Sequence, residues 1–538
     1  MIYVLRYIEL LNNKINGVVW GMPMLLLIVG TGIILTIITK CFQIKYARHI
    51  SRKTLFNLLA KNVRKNDIKE KSISQFQAMC TALAAALGTG NITGVATAIV
   101  IGGPGAVFWM WVSAVIGMMT IYAENVLGIY YRKKDKNGEW SGGAMYYLEN
   151  GLSRKKGLKT VGKILAVLFS AFCIFASFGM GNMAQINSIS SALESTFGIR
   201  PVICGTVLAI IAAFVILGGI KRIGNITEKF VPLMAVFYIV ASLIICILNY
   251  KELPYVVKSI FVNAFSFKAI GGGGSALAIK KAIEMGFKRG VFSNEAGLGS
   301  SVSVHASSNV KEPALQGMWG IFEVFLDTIV VCTLTAFVLL STTCSVTPFN
   351  DAINSNKSIE YISIADDDKK TIPLISTKAN TLSNHTGNNS YIYTNIAQIT
   401  KNERETKFSL IDGVPLVTYA FSQRFGKWAG KLLAIAILLF GFATIIGWSF
   451  YGLKAWEYLF GKKSAALYKT VYVLFVVIGS VLKLELVWNI SDTFNALMAI
   501  PNLIGVLILS KDVKRITDNY IRRNILNINE TPLYSAYE

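Results

Sequence analysis

The sequence predicts an all-α polytopic membrane protein with eleven transmembrane helices, and three observations carry that prediction. Of 538 residues, 53% are apolar and 15% charged, and the mean hydropathy is +0.51. Apolar runs of about 20 residues, the length that crosses a bilayer as a helix, recur along the chain. The basic residues gather between alternate runs. With 53 Lys and Arg against 30 Asp and Glu the net charge is +23, which by itself suggests a nucleic-acid partner. Its confinement to connections makes it a topological signal instead. The composition also excludes a disordered chain, a collagen-like chain and a disulfide scaffold.

The predicted spans run near 19–39, 76–101, 104–130, 161–189, 201–219, 230–249, 262–287, 314–341, 429–455, 466–482 and 486–509. Lys and Arg cluster after spans 1, 3, 5, 7, 9 and 11. The third cluster is Lys221, Arg222 and Lys229; the fourth is Lys280, Lys281, Lys288, Arg289 and Lys311. With eleven spans every cluster falls on one side, which the positive-inside bias makes cytoplasmic. The N-terminus is therefore expected outside and the C-terminus in the cytoplasm of a cell-membrane protein.

Four segments follow. Residues 1–75 hold an extra N-terminal helix and a basic linker, 76–249 hold spans 2 to 6, 250–510 hold spans 7 to 11, and 511–538 form a cytoplasmic tail. A long polar connection, 343–412, lies outside and is expected to be partly disordered.

Without span 1 the chain divides five and five, and an odd number of spans per half inverts one half relative to the other. Transporters built this way place their site where a span is interrupted at matching positions. Span 2 carries Ala84–Gly94, AAALGTGNITG; span 7 carries Gly271 to Ser275, GGGGS. Glycine weakens a helix and bares backbone amides, which a membrane tolerates only beside a cavity or an ion. The bland alternative is close helix packing through small residues. Ser293–Gly299, SNEAGLG, is a second candidate break, placed at the cytoplasmic end of span 7, with the alternative that it is the true central break.

Enzyme chemistry finds no support. The seven cysteines lie far apart without metal-ligand spacing, only three histidines occur, and no HExxH or GxSxG motif is present. A passive channel would not need two broken spans.

At these residues the chain resembles the alanine/glycine:cation symporter family. GGPGAVFWMWVSAVIG at 102–117 carries the resemblance. LGTGN at 87–91, GNMAQINSI at 181–189, RGVFSNEAGLGS at 289–300, DTIVVCTLTA at 327–336, GWSFYG at 447–452 and NALMAIPNLI at 495–504 support it. The resemblance implies a leucine-transporter-type 5+5 inverted repeat with one extra N-terminal helix. It also implies sodium-coupled uptake of a small neutral amino acid, alanine or glycine, with Na⁺ as coupling ion and H⁺ as the alternative.

Residue roles follow on that basis. Thr89 and Gly90 are expected to offer backbone N–H groups to the substrate carboxylate, with Gly273 and Gly274 as their counterparts in span 7. Gln185 and Asn187 are polar residues in an apolar span and are expected to face the substrate. Thr444 and Trp448 share one helical face, and the indole forms a wall that rejects larger side chains. Asn91 offers an oxygen suited to Na⁺. Asp327 is a mid-membrane carboxylate and so a functional candidate. Leu87, Thr328 and Ser449 complete the expected sodium set, and Asn294 and Glu295 are gate candidates. Glu323, Glu124 and Asp492 are expected to be solvated or paired charges nearer the interfaces. The bilayer, the ion and the amino acid are the expected partners, and nucleic acid is not.

Overall fold

A computed structural model describes residues 12, 14–57, 72–135, 138–265, 274–343, 369–374, 395–402, 405–410, 413–482 and 484–537. Among these, seven helices are long and apolar enough to cross a membrane. They are α4 (Gly105–Tyr130), α5 (Lys159–Phe197), α7 (Gly219–Leu248), α11 (Pro313–Thr342), α13 (Trp428–Phe460), α14 (Lys462–Val481) and α15 (Ser491–Ile508). The pair α2 (Gln75–Ala86) and α3 (Gly90–Gly102), bent by 52°, makes an eighth. α1 (Met22–Ile38), α6 (Pro201–Leu217) and α8 (Leu253–Phe265) are shorter apolar helices, and α9 spans Gly274–Asn294. α10 (Val302–His305), α12 (Gly413–Phe425) and α16 (Ser510–Asn524) follow in the order, and Phe42–Lys45, Ala47–Lys53 and Ala144–Tyr146 are short helices in the connections.

Local chemistry sets the boundaries. Ser74 and Gln77 close a capping box at the start of α2: the Ser74 hydroxyl accepts from Gln77 N, and the Gln77 side chain accepts from Ser74 N. Pro201 and Pro313 open α6 and α11, where the missing N–H costs nothing. Gly198 at φ +68° ends α5, a left-handed position where glycine carries no Cβ penalty.

Three expectations need correction. The segment expected as span 7, 262–287, divides between the end of α8 at Phe265 and α9, which opens at Gly274 and continues to Asn294, with 266–273 outside the described residues. The basic group expected on one side divides. Gly286 abuts Ala106 and Trp109 beside the turn joining α3 and α4, and Lys288 pairs with Asp492 at 2.9 Å at the start of α15. Arg132, beyond the other end of α4, donates to the carbonyls of Ser308 and Val310, beside Lys311. The reason is the longer α9: the chain reaches that other end only with residues 302–312. Nor is the chain wholly helical. Lys369–Leu374, Asn395–Asn402 and Glu405–Leu410 form an antiparallel sheet in that order, and Lys133–Lys134 pairs with Trp140–Ser141. Alternating Ile, Thr and Leu in the polar connection favour strands, a period that a search for long apolar runs passes over. The rest of 344–412 lies outside the described residues.

Small residues bring the helices together. A Cβ on Gly286 would lie 2.5 Å from Trp109 Cβ and 2.6 Å from Ala106 O, and backbone cannot step aside. Gly30 has nothing within 4 Å. Gly286→Ala should therefore lower the unfolding temperature in detergent, by about 1–3 kcal/mol of overpacking. Gly30→Ala should leave it unchanged or raised. Equal midpoints for the two variants would remove the close α4–α9 crossing.

Candidate functional site

The first helix break lies between α2 and α3. Leu87 leaves helical geometry with ψ 75°, and Gly88 follows it against two side chains. A Cβ there would meet Thr444 Oγ at 2.8 Å and Gln185 Oε1 at 3.2 Å, so only glycine fits. Thr444 donates to the carbonyl of Ala84 at 3.0 Å, a carbonyl in the last turn of α2. Gln185 Oε1 accepts from both Thr89 N (3.1 Å) and Thr89 Oγ (2.9 Å). A Cβ on Gly90 would lie 3.2 Å from the Phe292 ring. Thr89, Gly90, Gln185 and Thr444 are thus one locality, although the Thr89 N–H is engaged by Gln185 here.

The second break runs from Glu295 to Ser301, between α9 and α10. Glu295 (φ +58°), Gly297 (+94°) and Gly299 (+69°) are all left-handed. Glu295, which has a Cβ, holds this uncommon conformation with both carboxylate oxygens bonded: Trp448 Nε1 donates at 2.8 Å, and Ser300 donates to the other oxygen. Trp448 packs over Gly181, where a Cβ would lie 2.3 Å from its own Cβ. The Asn294 carboxamide oxygen accepts from Ala296 N at 3.0 Å, inside the break.

A polar cluster joins the two breaks. Asn91 Nδ2 donates to Asp327 Oδ1 at 2.6 Å and to Ser293 Oγ at 2.8 Å. Ser293 and Thr328 donate to Asp327 Oδ2 at 2.7 and 2.8 Å, and Asn294 Nδ2 donates to Thr328 Oγ at 3.0 Å. Thr335 donates to the Asn91 carbonyl at 3.0 Å. All six side chains are buried. Wide π-type turns at Gly90–Gly94, Gly179–Met183 and Phe325–Cys332 sit beside Thr89, Gln185 and Asp327, the kind of bulge that often marks functional positions. One carboxylate and three hydroxyls make an oxygen donor set that fits a hard cation better than a soft one, and the two carboxamides turn their NH₂ groups to it.

Other expected positions fall elsewhere. Asn187 Nδ2 donates to the carbonyls of Gly479 (3.0 Å) and Leu482 (2.6 Å), so it ties α5 to α14 rather than facing the break. Gly274 opens α9, twenty residues and so about 30 Å from Asn294 along the helix. The interruption that the described residues show is the later motif, at Glu295 to Ser301, and Gly273 lies outside the described residues. The Asn91 oxygen accepts from Gly88 N at 3.2 Å, so the NH₂ group, not the oxygen, faces Asp327. Leu87 and Ser449 belong to other seams: Leu87 caps α2, and Ser449 donates to Ile446 within α13.

Several residues were not singled out by sequence. Glu124, expected to be solvated or paired, is 1% exposed and hydrogen-bonded to Asn502. Glu323 is fully buried against His305 at 3.1 Å. Ser293 and Asn502 lay inside motifs whose glycines and charges drew the attention. For Glu124 a signal existed: it shares a helical face with Gly117, seven residues before, and Gly128, four after.

Comparison with known proteins gives one consistent result. The model of the "Sodium:alanine symporter family" matches residues 6–532. "Sodium/alanine symporter AgcS" of Methanococcus maripaludis is 42% identical over 96% of this chain and 98% of its own length. "Probable sodium/glutamine symporter GlnT" of Bacillus subtilis is 34% identical over 94% and 90%, and "Amino-acid carrier protein AlsT" of the same organism 31% over 92% and 89%.

The Trp448–Glu295 bond carries a prediction. Trp448→Phe and Glu295→Gln should couple by about 0.5–3 kcal/mol in a double-mutant cycle of thermal unfolding, because both remove parts of one buried bond. Strict additivity would show that the two side chains do not act together.

Proposed function

The chain belongs to the sodium:alanine symporter family, and from that premise we propose that it imports alanine or glycine together with Na⁺ by alternating access. It is a multi-pass membrane transporter of amino acids coupled to sodium, not an enzyme. In this reading it has eleven spans in a leucine-transporter-type 5+5 arrangement, its N-terminus outside and its C-terminus cytoplasmic. The observation that carries the proposal is Asn91. Its backbone lies in the break of span 2, and its side chain bonds Ser293 and Asp327, beside the break of span 7.

Each group then has a task. The N-terminal end of α3 at Thr89 and Gly90 meets the substrate carboxylate, helped by the helix dipole. Gln185 releases the Thr89 N–H when that carboxylate arrives and turns its oxygen to the ammonium group. Trp448 and Phe292 wall the pocket, so that substrates larger than alanine clash. Asp327, Ser293 and Thr328 supply oxygens to Na⁺, and Asn91 and Asn294 orient them through their NH₂ groups. Glu295 and Asn294 lie where the wall meets the second break, the expected place for a gate. One Na⁺ entering down about 100 mV releases about 2.3 kcal/mol. A tenfold gradient adds about 1.4, enough for accumulation of several hundredfold.

Labelled alanine uptake into proteoliposomes tests this. Uptake should rise with an inward Na⁺ gradient and fall on competition by glycine; equal uptake with K⁺ or with no gradient sinks the symport reading. A second expectation concerns Asn91→Ala. It should raise the Na⁺ concentration for half-maximal uptake at least tenfold while changing the alanine KM less. An unchanged Na⁺ dependence would take Asn91 out of the ion site.

A further inference from the structure

The break in span 7 holds an anion of the protein's own. Across Glu295 to Gly299 the sign of φ alternates: Glu295, Gly297 and Gly299 are positive, Ala296 and Leu298 are not. Alternating hands turn successive N–H groups toward one concave side, a backbone nest that binds anions. The Glu124 carboxylate lies against this segment, within reach of the Gly297 and Gly299 backbone N–H groups and tied to the Gly297 carbonyl through Asn502. It is 1% exposed, and no Lys or Arg among the described residues lies within ion-pair distance of it.

Asn502 fixes the arrangement from span 11. Its Nδ2 donates to Glu124 Oε1 and, at 2.8 Å, to the Gly297 carbonyl, while its Oδ1 accepts from Tyr147. The fit leaves no slack. A Cβ on Gly299 would lie 2.7 Å from Asn502 Oδ1, one on Gly117 2.9 Å from Ala296 Cβ, and one on Gly128 2.2 Å from Val302 Cγ1. Those glycines let α4 lie directly against the break and bring Glu124 to it.

We infer that Glu124 is a positioning residue for transport: its carboxylate occupies the Gly297–Gly299 nest as a built-in anion and holds the broken segment of span 7 in its binding shape. Because the nest is filled from within, the substrate carboxylate is left to the break of span 2, and the two breaks do different work. The inference rests on the proposed site, through which Glu124 acts without touching the amino acid.

Chemical rescue tests it. Glu124→Ala opens the nest, and formate is a carboxylate small enough to enter. The alanine KM of Glu124→Ala should rise at least tenfold, with a smaller change in maximal rate, and tens of millimolar formate should restore much of it. Formate should also raise the unfolding temperature of this variant in detergent, and not that of the parent. Asn502→Ala should be impaired as well but not rescued, because its nest is still filled. No formate effect on either uptake or unfolding of Glu124→Ala, or parent-like uptake without formate, overturns the inference. If Glu124→Ala is not recovered folded, isosteric Glu124→Gln replaces it: a raised alanine KM supports the inference, and parent-like uptake refutes it. The unfolding readout is independent of what is transported. A formate shift with no Na⁺-driven alanine uptake by the parent would spare the nest and refute the symport reading.

Discussion

Backbone hydrogen bonding is the constraint from which this structure follows. In hydrocarbon an N–H or C=O without a partner is costly, so a spanning helix satisfies its own and a broken one borrows. Two spans are broken here, and the borrowed partners are side chains on other spans. Gln185 of α5 takes the Thr89 N–H, Thr444 of α13 covers the Ala84 carbonyl, and Asn502 of α15, itself bonded to Glu124 of α4, covers the Gly297 carbonyl. Each bond is therefore a tie between spans as well as a local cap. A break is where a ligand can compete for backbone groups, so those ties are the ones that binding disturbs.

The glycines follow from the same constraint. Gly88, Gly181 and Gly299 would each bring a Cβ within 3 Å of a partner side chain: Thr444, Trp448 and Asn502. Their task is to let the partner approach, more than to make the chain flexible. In the second break Gly297 and Gly299, at positive φ, are needed for backbone shape as well.

Much of this was legible in the sequence, and the failures share a cause. Long apolar runs gave most spans, because length and hydropathy survive folding unchanged. LGTGN marked the first break because glycine, threonine and asparagine in mid-span have few other uses. The second break was displaced to GGGGS, since glycine count is a local signal, while the break that matters, SNEAGLG, depends on partners from α4, α13 and α15. Lys288 separates from Lys311 for the same reason: its partner Asp492 lies 204 positions away, and no charge count along the chain contains that pairing. Asn187 and Gln185 are two residues apart and equally polar. Only packing shows that one faces Thr89 and the other the end of α14.

Charge placement carries the last step. At the ends of the bundle, acidic groups meet fixed cations: Lys288 with Asp492 at 2.9 Å and Arg523 with Glu312 at 2.6 Å. Near the breaks they do not. Among the described residues Asp327, Glu295 and Glu124 have hydroxyl, indole, carboxamide or backbone N–H donors and no Lys or Arg at ion-pair distance. Neutral donors stabilise a buried carboxylate without cancelling its charge. A permanent arginine beside Asp327 would cancel it and exclude a second cation. Leaving that compensation to an ion that comes and goes is what coupling requires. Under the proposed symport Na⁺ supplies it at Asp327, while Glu295 and Glu124 spend their charge on backbone and indole N–H groups that keep the second break in shape.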